Sequence, residues 1–88
     1  MTNEPYQPIS CALHEAYQYA VMSRSLLDLC WRDEENKAHH TRALPIDVLT
    51  HGKAEYLELE LRDGTRQRVR LDQLLKVIVV QGGEHLLG

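Results

Sequence analysis

The stretch from Glu55 to Asp72, EYLELELRDGTRQRVRLD, leaves this chain few ways to fold. Leu57, Leu59 and Leu61 alternate with Tyr56, Glu58 and Glu60, the period of two that marks a strand with one buried face. Beyond Asp63-Gly64, Val69 and Leu71 keep the apolar side while Arg66, Arg68 and Arg70 take the other. Parity then fixes the turn. A two-residue Asp63-Gly64 loop sets leucines opposite arginines, whereas a three-residue loop, Arg62-Asp63-Gly64, sets leucine opposite valine. The longer loop is predicted, with Gly64 in the left-handed conformation of a bulge. In that register Glu60 faces Arg66 and Glu58 faces Arg68, and each such pair contributes about 0.2–1 kcal/mol.

The rest of the chain arranges itself around this hairpin. Ser10 can cap a helix start, with Pro8 keeping the approach extended, and a helix from Cys11 to Met22 follows. Leu13, Ala16, Tyr17, Ala20 and Val21 form its buried stripe, leaving His14, Glu15, Gln18, Tyr19 and Met22 on or near the opposite face. That face is either a solvated helix back with stray hydrophobes or a docking surface. Leu27, Leu29 and Trp31 then alternate with Asp28, Cys30 and Arg32, which predicts a strand over Ser25 to Arg32. Asp33-Glu34-Glu35-Asn36 reads as an acidic turn. With Asp28 it forms either a contact patch or a plain solvated loop. Lys37 to Asp47 is a second, irregular strand that Pro45 makes bent or an edge, and an unpaired edge there would leave dimerisation open. Leu49 to Gly52 reads as a turn, and Leu74 to Gln81 as a last strand partly buried on both faces. Gly82-Gly83 ends it. Residues 1–5 and 82–88 are expected to be loose.

Eighty-eight residues bound this to one domain, residues 1–88, with a modest core. The longest apolar run, around Leu74 to Val80, falls far short of the roughly 20 residues that cross a bilayer, so no membrane association is expected. The N-terminal MTNEPYQP has neither a basic nor an apolar signal region, which points to the cytoplasm. Cys11 and Cys30 form no CxxC and are expected to stay reduced there. Net charge is −3, unevenly spread. Residues 1–35 hold six acids against two bases, and the remainder seven acids against eight bases. An acidic front disfavours phosphate and suits a basic protein partner.

Catalytic equipment is missing from the sequence. There is no HExxH and no nucleophile elbow, and His39 and His40, adjacent on a strand, point to opposite faces. The expectation is a binding module without enzymatic activity, cofactor or metal. One reading of its surface is a single-stranded RNA site built from Arg66, Arg68 and Arg70 with Tyr56. Glu58 and Glu60 argue against it by neutralising the row.

One helix followed by about five short strands predicts a mainly β fold, a strongly curved antiparallel sheet or partly open barrel. In that order of elements, Tyr6, Pro8, Ile9, Ser10 and Cys11 before the helix, Glu55-Tyr56-Leu57 and Arg70-Leu71-Asp72 resemble the Rof (YaeO) family of bacterial Rho-binding antitermination proteins. The likeness covers roughly residues 5–80. It implies an Sm-like barrel with an N-terminal helix, and inhibition of Rho-dependent termination by occupying the primary RNA-binding region of the Rho hexamer. Direct RNA binding is not expected, and the chain is expected to act as a monomer. The contacts implied are Glu15, Gln18 and Tyr19, with His14 beside them and Asp28, Asp33, Glu34 and Glu35 extending the negative field. The family commonly places acids early in this helix; this chain has Ala12 and Leu13 there, and Gln18 where an acid is usual, so Glu15 is the helix's one acid.

Overall fold

The computed structural model describes residues 6–88; the expected loose segment 1–5 lies outside the described residues. Helix α1 (Cys11–Ser23) starts where the sequence places it. Ser10 holds an extended backbone, and its Oγ accepts the Leu13 N–H at 3.1 Å, satisfying one of the donors that every helix start leaves unpaired. The helix runs one residue past Met22 and closes in a Schellman motif. Ser25 N–H donates to the Ala20 carbonyl at 3.1 Å and Arg24 N–H to that of Val21 at 3.2 Å. Arg24 adopts φ +54° to do so, a region that glycine occupies at least cost. The expected stripe is the buried one: Tyr17 and Ala20 are fully enclosed, and Leu13, Ala16 and Val21 are half-buried.

The strands are β1 (Leu27–Arg32), β2 (Ala38–His51), β3 (Ala54–Glu60), β4 (Arg66–Arg70), β5 (Leu74–Val79) and β6 (His85–Leu87), with a 3₁₀ turn at Leu71–Gln73. All pairings are antiparallel, in the order β4-β3-β2-β1-β5-β6, and the sheet does not close. The fold is mainly β with an N-terminal helix, as expected. The β3–β4 register is the one parity demands: Leu57 opposite Val69, Glu58 opposite Arg68 and Glu60 opposite Arg66. Leu61 N–H donates to the Thr65 carbonyl at 2.8 Å, enclosing a three-residue loop whose Gly64 has φ +89°. The ion pair that closes is diagonal, Arg66 to Glu58 at 3.9 Å, rather than directly across.

Three expectations need correction. Residues 38–51 form one long strand, so Leu49 to His51 is strand and the turn is Gly52-Lys53. This strand is no edge: its first half pairs with β1 and its second with β3, and the register shifts between Pro45 and Asp47. Proline, which has no N–H to give a ladder, sits at that bulge and lets one strand serve two neighbours in different directions. Finally, the chain does not stop at β5. The Gly82-Gly83 segment reverses it, and β6 pairs back on β5. Leu86 and Leu87 pack against the core there, an apolar gain that a reading ending at the glycines overlooks.

The core gathers Tyr17 and Ala20 from the helix with Leu27, Leu29, Trp31, Leu57, Leu59, Val69 and Val77 from the sheet and Leu71 from the 3₁₀ turn. Leu13 and Leu61 pack at its margin. Fully burying each leucine or valine contributes about 1.5–3 kcal/mol. The helix is therefore fastened to the sheet by its Tyr17–Ala20 face, and its other face is left to solvent.

Candidate functional site

The surface that the fold leaves unused is the outer face of α1. Glu15, Gln18, Tyr19 and Met22 are all exposed, Tyr19 to 70% and Met22 to 80%. Their spacing of three to four residues puts them on one side of the helix. No hydrogen bond or ion pair holds the Glu15 carboxylate, the Gln18 amide or the Tyr19 hydroxyl among the described residues. These groups carry no structural duty. Among the described residues the most exposed large hydrophobics, Tyr19 and Met22, stand beside the helix's one acid.

His14 has a different task. Its Nε2 lies 3.0 Å from Glu55 Oε2, and because a carboxylate only accepts, that nitrogen carries the proton. The Tyr6 hydroxyl donates to the other oxygen, Glu55 Oε1, at 3.1 Å. Nearby, Gln7 N–H donates to Asp72 Oδ2 at 2.9 Å, while Arg70 grips Asp72 through Nε at 2.6 Å and Nη2 at 3.0 Å. The Arg70 guanidinium lies 6.0 Å from the centre of the Tyr6 ring, within cation–π reach. Burial, reinforced by the Glu55 bond, pushes the Tyr6 hydroxyl up to about 12. One network thus clamps the segment leading into α1, and α1 itself, onto β3 and the end of β4. Tyr6, Gln7, His14, Glu55, Arg70 and Asp72 are its members.

The acids grouped with the helix face divide in the same way. On the outward side of β1, Asp28 bonds His40 Nε2 and lies 3.5 Å from Arg42 Nε, both on β2. The His40 bond holds its carboxyl below the usual range. Asp33 organises its own turn: it bonds His39 Nε2 at 2.7 Å and accepts the backbone N–H groups of Glu35 and Lys37, both at 2.9 Å. The His39 bond is the chief reason its carboxyl is held low. Glu35 is exposed at the turn tip. Glu34 lines a cleft together with Trp31, Tyr56, Arg68 and Arg70. The structure therefore brings Glu15, Gln18 and Tyr19 together with Met22, and assigns His14, Asp28 and Asp33 to bonds within the fold.

His39 and His40 do face opposite sides. The His39 ring stacks on Trp31, centroids 5.2 Å apart, while His40 reaches Asp28. Among the described residues no three His, Cys, Asp or Glu side chains gather as a metal site would require. The cleft that joins the acidic turn to the arginine row was invisible in the sequence. It forms because the bent β2 brings the end of β1 near β4, a long-range consequence that no local spacing encodes. The chain matches no protein-family model and no curated protein.

Proposed function

We propose that this chain is an inhibitor of Rho-dependent transcription termination, which docks the outer face of α1 on the RNA-binding region of the Rho hexamer and keeps RNA from loading. The observation that carries the reading is the stripe Glu15, Gln18, Tyr19 and Met22. It is exposed, free of structural duty, and held in place by a network that includes Tyr6, Glu55, Arg70 and Asp72, four of the eleven residues through which the chain resembles Rho-binding antiterminators. An RNA-binding surface offers cations and stacking platforms, and an exposed carboxylate beside an exposed aromatic meets both. On this reading the protein works in the cytoplasm as a monomer, by binding rather than by catalysis. A Rho-dependent termination assay tests it. The wild type raises read-through and Glu15→Lys raises it less, since a repulsive charge replaces an attractive one. Equal read-through from a correctly folded Glu15→Lys variant counts against the helix face.

The second reading, an Sm-like single-stranded RNA-binding module, draws on Tyr56, Arg68 and Arg70 lying in one cleft. Arg66 pairs with Glu58 and Arg70 with Asp72, and the opposite wall carries Asp33 and Glu34. That balance of charge favours the protein partner over the phosphate backbone.

A further inference from the structure

The cleft between the β1–β2 turn and β4 encloses about 270 Å³. Tyr56 offers a half-buried aromatic surface, and Arg68 is exposed with no ion pair among the described residues. Arg70 lies beside them, aligned by Asp72. An aromatic next to arginines is how proteins hold single-stranded nucleic acid without reading its sequence, stacking a base while cations meet the phosphates. The facing wall contradicts that use, because Asp33 and Glu34 line the same space.

The acidic wall is a built one. Asp33 ties the turn together through Glu35, Lys37 and His39, and Arg32 Nη1 donates to the Asn36 carbonyl at 3.2 Å. Asn36 takes φ +65° to complete the reversal. Within this braced turn the Glu34 carboxylate makes no hydrogen bond or ion pair among the described residues. The turn holds that charge across from the arginines, where it acts on the Arg70 guanidinium through space rather than through a bond.

We propose that Glu34 is an electrostatic screen, positioned by the Asp33–His39 turn to keep single-stranded RNA out of the Tyr56–Arg68 cleft. The inference concerns a surface that shares no residue with the α1 stripe and does not rest on the Rho reading. Any phosphate drawn to Arg68 meets the Glu34 carboxylate on the opposite wall, and the attraction is cancelled where it would otherwise act.

The test is a fluorescence anisotropy titration of a short labelled oligouridine at about 50 mM salt, where phosphate contacts are strongest. Wild type, Glu34→Gln, Glu34→Lys, Glu35→Gln and the double variant Glu34→Gln/Arg68→Gln are compared, with folding checked by circular dichroism. Glu34→Gln binds roughly two- to fivefold tighter than wild type, the size one exposed charge contact carries. Glu34→Lys gains more, Glu35→Gln gains little because Glu35 does not line the cleft, and adding Arg68→Gln removes the gain. The proposal is overturned if folded Glu34→Gln and Glu34→Lys bind no tighter than wild type. It is equally overturned if Glu35→Gln gains as much, since net charge alone then explains the effect, or if the gain survives Arg68→Gln.

Discussion

Replacing Glu55 by alanine removes the acceptor on which the N-terminal segment and α1 both close. Two hydrogen bonds are lost at once, from the Tyr6 hydroxyl at 3.1 Å and from His14 Nε2 at 3.0 Å. A bond to a charged group is worth about 1.5–3 kcal/mol when well shielded. Here the Glu55 and His14 side chains retain 31% and 25% of their exposure, so solvent competes for both bonds. The two together are expected to contribute about 1.5–2 kcal/mol. For a domain of this length that lowers the melting temperature by roughly 6–16 °C. Urea melts of wild type, Tyr6→Phe, Glu55→Ala and the double variant form a cycle that isolates the Tyr6–Glu55 bond, with an expected coupling of about 1 kcal/mol. An ultraviolet titration supplies an independent reading: the Tyr6 hydroxyl, raised to about 12 by burial and then by Glu55, moves back toward 10 in Glu55→Ala. A Glu55→Ala variant whose stability stays within about 0.5 kcal/mol of wild type, the range of an ordinary surface change, refutes the clamp.

Tyr17 is wholly buried and its hydroxyl has no partner among the described residues. Tyr17→Phe is therefore expected to stabilise the fold by about 1 kcal/mol, the lower end of what an unsatisfied buried group costs; a loss in a denaturant melt would reveal a missing bond. Arg24→Gly relieves a left-handed residue at the helix end and is expected to add about 0.5–1 kcal/mol in the same assay. Asp28, Asp33 and Asp63 are held below the ordinary carboxyl range, chiefly by bonds to His40, His39 and Thr65 respectively. A depressed carboxyl stabilises the fold above its unfolded value and loses that contribution as the pH falls through its folded value. The urea midpoint is thus expected to drop below about pH 4 and to drop less steeply in Asp28→Asn.

What could be read from the sequence was local. The β3–β4 register followed from the parity of Leu57, Leu59 and Val69 against the glutamates and arginines, because a slip of one residue turns every side chain over. The helix and its buried stripe followed from the Ser10 cap and the spacing of Tyr17 and Ala20. What could not be read depended on contacts distant in the chain. Nothing near Pro45 says that β2 will pair on both sides, and nothing near Leu86 announces a sixth strand. Within the candidate site, Glu15, Gln18 and Tyr19 were recoverable because exposure follows helical period. His14 sits at the margin of that period, and only the partner Glu55, in β3, draws it inward. Asp28 and Asp33 appeared as free acids for the same reason: their histidine partners belong to β2, and only the fold sets them side by side.

The proposed competition of the outer face of α1 with RNA for Rho is open to an equilibrium titration of the purified chain against purified Rho. Binding is expected to be saturable, to be displaced competitively by a single-stranded RNA, to weaken as salt rises because exposed charges are screened over about 10 Å at 0.1 M, and to fall in Glu15→Lys and Tyr19→Ala while both variants stay folded. Absence of binding, or binding that RNA does not displace, would contradict the proposed competition.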